Sequence, residues 1–337
     1  MLFFGPRHPA ELVFLWPLLI AGAGCDTATF GPQAGSGMTN TEVSPRPDNS
    51  SGGNGPSQSP PSAPGDSLYN RLGGQDGITA VVGDFVGRVV EDPKINGYFL
   101  NAEVDGGKVA QCLVLQIGSL TGGPQTYPSN GCRDMKTVHA GMKISMQDFA
   151  DTATHLVAAL TEAKVAQADI DTIVEAVGGT AGDIVEDLDN EGTVYQRVGR
   201  KPAIEAVVSA FITRVATDAR INGFFGSTDG PRLQTCLVRQ VCGIDGPCKY
   251  GSEVDGEPGV SKEKPCLDMA TVHKDLTSPP GGGAMAKGIT KQDFDWVVEA
   301  LVMELDAAGV AAADKEALLG ALGPTCKDIV AGGTGCE

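Results

Sequence analysis

The sequence predicts an all-α protein of two tandem helical domains, residues 67–188 and 193–331, behind a leader (1–25) and a linker (26–66). Three observations predict it. Apolar residues recur at helical spacing in both domains. No stretch alternates apolar and polar residues as a half-buried strand does. Long phrases of the first domain return, in the same order, in the second.

The leader reads as an address. Arg7 and His8 precede the apolar run "LVFLWPLLIA" (Leu12 to Ala21), which is short for a bilayer span and suits a signal-peptide core. Ala-Gly-Ala-Gly then leads into Cys25, a site similar to those where bacterial lipoproteins are cleaved and the new N-terminal Cys is lipidated. Gly22 stands where such sites usually carry Leu, and ordinary cleavage with an unmodified Cys25 is the alternative. Either way the chain is expected to be exported, facing the periplasm or cell surface. The linker, with "SSGGNGPSQSPPSAPG" at its end, cannot bury enough apolar surface to offset its ordering entropy and reads as a flexible tether to the membrane.

The formal charge of −17 over 337 residues, with no cluster of Lys and Arg, excludes a nucleic-acid partner. In the first domain Ile78, Val81, Val82, Phe85 and Val89 fall on one helical face, and Pro93 helps to end that helix; Ile204, Val207, Val208, Phe211 and Val215 repeat the face. "LYNRLGG" at Leu68 pairs with "VYQRVGR" at Val194, Phe99 with Phe225, and "CLVLQ" at Cys112 with "CLVRQ" at Cys236. A later helix opens at Ser145 or Thr290 with Asp148 or Asp293 three positions on, the pattern of a side-chain cap. Phe149, Ala153, Leu156 and Leu160 line one of its faces.

Of nine cysteines, setting aside Cys25 leaves eight, an even number in an exported chain, so disulfides are expected. Internal repetition narrows the pairing to Cys112–Cys132 and Cys236–Cys266, with Cys242–Cys248 and Cys326–Cys336 as local pairs of the second domain. A zinc site is the rival, although the spacings match no usual one. Of four histidines, His8 lies in the leader and His155 has Ala300 as its counterpart. His139 and His273 recur, each closing a repeated phrase, "CRDMKTVH" and "CLDMATVH". A fixed imidazole in an all-α domain, with Phe99 or Phe225 upstream, suits an axial ligand to haem iron, and the absence of Cys-x-x-Cys-His excludes covalent c-type attachment.

Taken together, "SLYNRLGG", "DFVGRVVEDPKINGYF", "LTGGPQTY", "CRDMKTVHAGMKIS" and "DFADTATHLVAAL" resemble the group 1 truncated haemoglobins, through residues 67–188 and more loosely through 193–331. The resemblance implies a two-over-two helical sandwich holding haem b, one per domain. It makes His139 the proximal iron ligand, Phe99 a residue packed on the haem, and Tyr127 the tyrosine after the Gly-Gly-Pro turn. His273, Phe225 and Tyr250 take these places in the second domain. Val109 and Leu113, with Leu233 and Leu237, would line the distal side.

The sequence also departs from that family. Val86 and Ile212 stand where the family often has a tyrosine that hydrogen-bonds bound oxygen, and a glutamine often found at the position of Leu113 and Leu237 is missing. Gln116 and Gln240 lie on the same distal face and are the remaining polar candidates. Cys112 and Cys236 replace a basic residue that commonly pairs with a haem propionate. The second domain inserts "DLTSPPGGGAM" soon after His273. The expected function is binding of a diatomic gas (oxygen, nitric oxide or carbon monoxide) at iron, for storage, delivery or sensing, with a reductase as partner. Two other classes stay open: a haem enzyme such as a nitric-oxide dioxygenase or peroxidase, and a globin-like interaction module that has lost haem in one or both domains.

Overall fold

The computed structural model describes residues 66–100, 104–251, 257–274 and 288–336. The leader, Cys25, nearly all of the linker and the "DLTSPPGGGAM" insertion lie outside the described residues. Among the described residues no strand forms, and a parallel bridge joins Ser145 to Asp187. No described helix is long and apolar enough to cross a membrane.

The first half runs α1 (Leu68–Arg71), α2 (Gly74–Glu91), a 3-10 turn (Asn96–Tyr98), α3 (Gly106–Leu120), α4 (Met135–His139), α5 (Met146–Glu162), α6 (Gln167–Gly178) and α7 (Ala181–Ile184). The second half runs α8 (Val194–Arg197), α9 (Arg200–Thr217), a 3-10 turn (Asn222–Phe224), α10 (Gly230–Cys242), α11 (Met269–His273), α12 (Lys291–Ala307), α13 (Ala312–Leu322) and α14 (Cys326–Ile329). In the first half α2 packs on both α3 and α5, and α5 packs on α6, two helices over two. In the second, α9 packs on α10 and α12.

Local chemistry sets these boundaries. Ser145 and Thr290 form reciprocal capping boxes with Asp148 and Asp293, satisfying backbone donors that a helix start leaves free. Asp105 and Asp229 cap the starts of α3 and α10. Helix α2 stops at Glu91, just before Asp92 and Pro93.

The helical faces read from sequence are the buried faces. Ile78, Val81, Val82, Phe85 and Val89 share one core with Leu156, Ala159, Leu160, Ile170 and Ile173. Phe149 and Ala153 are half-buried at its edge. The core of the second half is divided into three clusters, with Val207 half-buried. An ion pair ties the opening turn to the last long helix in each half: Arg71 to Asp169 at 2.7 Å, and Arg197 to Asp314 at 2.7 Å.

The halves meet at a buried polar joint. Asp148 accepts hydrogen bonds from Tyr98 Oη (3.0 Å) and Ser145 Oγ (2.9 Å) within the first half, and from Arg200 Nη1 (3.0 Å) and Gln196 Nε2 of the second. Arg200 also reaches Asp151 at 2.7 Å. Beside them, Lys201 donates to Asn96 Oδ1 at 3.1 Å and pairs with Glu257 at 2.9 Å. Glu257 holds Arg239 as well, and Arg239 Nη2 donates to the Leu100 carbonyl at 3.2 Å. A Cβ on Gly97 would lie 2.9 Å from Pro247 Cγ and 3.3 Å from Cys248 Sγ, so this close approach requires glycine.

Candidate functional site

The repeated Cys-to-His phrase is a structural device in which each residue type has a task. Cys132 bonds to Cys112 in the middle of α3, with the sulfurs 2.06 Å and the α-carbons 5.6 Å apart. Cys266 bonds to Cys236 of α10 in the same way, with α-carbons 5.5 Å apart. Asp134 and Asp268 cap the short helices α4 and α11, each accepting from a threonine amide at 2.9 Å. These helices end on His139 and His273.

Both imidazoles are set alike. His139 Nδ1 donates to the Met135 carbonyl at 2.8 Å, and His273 Nδ1 donates to the Met269 carbonyl at 2.8 Å. A carbonyl can only accept, so the proton sits on Nδ1 and the Nε2 lone pair is available to a metal. Burial holds both imidazoles below their ordinary pKa range, which favours the neutral, ligating form.

The loops on either side fix the angle of the short helix. Tyr127 Oη donates to the Arg133 carbonyl and Tyr250 Oη to the Leu267 carbonyl, each at 2.7 Å. Both tyrosines thus anchor the segment that enters the histidine helix. On the far side, Glu186 accepts from the amides of Gly141 (2.6 Å) and Lys143 (2.8 Å), fixing the turn after His139.

Val86, Phe99 and Leu113 are half-buried and pack against the core of the first half, while Val109 is half-buried one turn before Leu113 on α3. In the second half Ile212, Phe225 and Leu237 pack on one core cluster, and Leu233 is half-buried a turn earlier. Gln116 and Gln240 are half-buried on α3 and α10, and among the described residues neither has a hydrogen-bond partner. Cys242 bonds to Cys248 and Cys326 to Cys336. All eight described cysteines are therefore paired, and none remains as a thiolate for zinc. His155 Nε2 pairs with Asp92 at 2.8 Å, away from either histidine helix.

A family profile for bacterial-like globins matches residues 67–186. A group 1 truncated hemoglobin, GlbN, of Mycolicibacterium paratuberculosis is 34% identical over 118 residues, covering 35% of this chain and 83% of that protein. The chain belongs to the group 1 truncated haemoglobins. Another relative, GlbN of Nostoc sp., is 34% identical over 103 residues, covering 30% of this chain and 83% of its own. The Fe(III) structure of truncated hemoglobin from Tetrahymena pyriformis aligns at 25% identity with a TM-score of 0.33, covering 36% of this chain and 98% of that one.

Membership of the truncated haemoglobins implies haem, and the donor set fits it: a half-buried imidazole keeps Nε2 unprotonated while Nδ1 bonds the Met135 carbonyl. What sequence reasoning missed in this truncated haemoglobin is the joint. Asp148 was legible as a cap but not as the acceptor for Arg200 and Gln196. One signal was available: Gly74 in the first half becomes Arg200 in the second, and both take a left-handed backbone, φ 64° and 62°. A non-glycine residue in that conformation marks a place where something else compensates the strain.

Proposed function

We propose that the chain is a tandem truncated haemoglobin, with residues 67–188 and 193–331 each binding one haem b and one diatomic gas. The observation that carries this reading is the repeated histidine geometry, His139 on Met135 O and His273 on Met269 O, both at 2.8 Å. Haem supplies the iron at which oxygen, nitric oxide or carbon monoxide binds. The chain supplies the rest: His139 and His273 give Nε2 as ligand, and Phe99 and Phe225 pack on the haem. Val86, Val109 and Leu113 exclude water, as do Ile212, Leu233 and Leu237. These distal residues donate no hydrogen bond, which favours storage, delivery or sensing over a dedicated catalyst, since chemistry on a bound gas relies on placed donors.

The leader and Cys25 support an exported, lipid-anchored protein held off the membrane by the linker, with a reductase of the same compartment keeping the iron ferrous. The absorbance spectrum of purified protein with its haem-to-chain ratio tests the reading. Two haems per chain are expected; none would overturn it, and one would confine it to a single half. Mass analysis of the mature N-terminus tests the anchor.

A further inference from the structure

We propose that the second half is a positioning clamp for the haem edge of the first, acting through Lys201, Arg239 and Pro247 on the segment Lys94–Leu100. This inference rests on the reading of His139 and Phe99 as haem-binding residues.

Apart from the Asp148 and Asp151 cluster, the contacts across the joint converge on this one segment. Tyr195 Oη donates to the Lys94 carbonyl at 3.3 Å, Lys201 Nζ to Asn96 Oδ1 at 3.1 Å, and Arg239 Nη2 to the Leu100 carbonyl at 3.2 Å. Pro247 and Cys248 close over Gly97. Tyr98 is held by Asp148, which is itself held by Arg200. Phe99 stands between the held positions, its amide bonded to Asn96 O at 3.0 Å. The segment is a single turn of 3-10 helix, too short to fix its own conformation.

The donors belong to the second half alone. The first-half counterparts of Lys201 and Arg239 are Gln75 and Leu115, and Glu257, which pairs with both cations, lies in a stretch between Tyr250 and Cys266 that is longer than the matching one from Tyr127 to Cys132. Arg239 is 2% exposed, so its desolvated charge has a structural task that an exposed arginine would lack. The second half holds no equivalent clamp on Phe225: Asn222 and Gly223 are exposed. The two gas sites are therefore unlike in support, and the first is complete only in the joined chain.

The test uses the full chain in a His273→Ala background, so that haem signals report the first half. Combining Lys201→Gln, Arg239→Leu and Glu257→Gln removes both donors together with the carboxylate that pairs with them; Glu205, 3.9 Å from Lys201, is exposed enough to stay solvated. The expected result is at least tenfold faster haem loss, a broadened carbon monoxide stretching band and faster amide exchange at Phe99 and Leu100. Lys264→Gln, which removes only an exposed ion pair with Asp229 in the same half, should retain haem as the parent does. Unchanged haem loss in the triple variant, or equal loss in Lys264→Gln, overturns the clamp. Should the triple variant not fold, Asn96→Ala, which deletes the acceptor for Lys201 along with a long 3.4 Å donation from Nδ2 to the Val90 carbonyl, decides by the same readouts. If the parent binds no haem at His139, the haem reading fails by itself, and amide exchange alone upholds or overturns the clamp.

Discussion

The Arg200 guanidinium lies 3.0 Å from the Asp148 carboxylate, across the joint between the halves, and takes the left-handed backbone that its counterpart Gly74 adopts freely. Asp148 is 1% exposed, so this pair is desolvated, and removing one partner strands the other. Arg200→Gly relieves backbone strain of about 1 kcal/mol but removes a partner whose loss at a buried pair costs about 3–5 kcal/mol. Net destabilisation of about 2–4 kcal/mol is expected in denaturant unfolding. A stabilised Arg200→Gly protein would show that the pair does not hold the joint.

His139→Ala should abolish haem binding in the first half and leave that of the second intact, read as a fall in haem per chain with the far-ultraviolet helical signal unchanged. An unaltered ratio would mean that another group ligates the iron.

The bridge between Cys112 and Cys132 ties α3 to the entry of the histidine helix over a sequence separation of 20. Replacing both cysteines with serine should cost about 3 kcal/mol through the freed unfolded chain and speed haem loss from the first half. Peptide mapping without reduction should recover the four pairs; free thiols at Cys112 and Cys132 in exported protein would contradict the structure.

On the proposed placement of Val86, Val109 and Leu113 at the distal side, oxygen should leave quickly and the iron should autoxidise readily. Gln116, half-buried on α3 and without a hydrogen-bond partner among the described residues, is the polar side chain that would change this. Gln116→Leu should leave the oxygen dissociation rate within about twofold, well under the effect of one lost hydrogen bond. A sharp acceleration would make Gln116 the distal donor.

Glu257 supplies a pH dependence. Burial pushes its pKa up, but Lys201 and Arg239 outweigh burial and hold it below the ordinary carboxylate value of 4.5. The folded state therefore binds fewer protons than the unfolded chain. The stability this group contributes is present above pH 4.5 and lost as the pH falls through the lowered folded value. Glu205, pushed up by burial and by the charge of Glu257, acts in the opposite sense. Melting curves of Glu257→Gln should consequently lose less stability than the parent between pH 5 and 3, roughly the carboxylate range. Parallel curves would remove Glu257 from the acid response.

Much of this was legible in the sequence because it depends on near neighbours. Helical faces, the capping boxes at Ser145 and Thr290, and the cysteine pairs follow from spacing and repetition. The anchoring of the tyrosines was not legible, since Tyr127 and Tyr250 spend their hydroxyls on carbonyls of Arg133 and Leu267 that only the folded loops bring near. The joint was legible least. Its partners are up to 139 positions apart, as for Arg239 and Leu100, and charges such as Lys201 and Arg239 read as a solvated surface until the fold buries them.

The contact between the halves is head-to-tail: two different surfaces meet, and a contact of that kind, repeated, gives a ring or a fibre according to its rotation. Neither outer surface of this pair carries the full set of groups that the joint uses. The leading end carries Gly74, Gln75 and Leu115 in place of Arg200, Lys201 and Arg239. The trailing end keeps Asn222, Gly223 and Asp293 but has Phe224 in place of Tyr98, which donates to Asp148, and Trp296 in place of Asp151, which pairs with Arg200. A handful of side chains thus separates the joined surfaces from the outer ones, so the joint is specific for this order of the two halves.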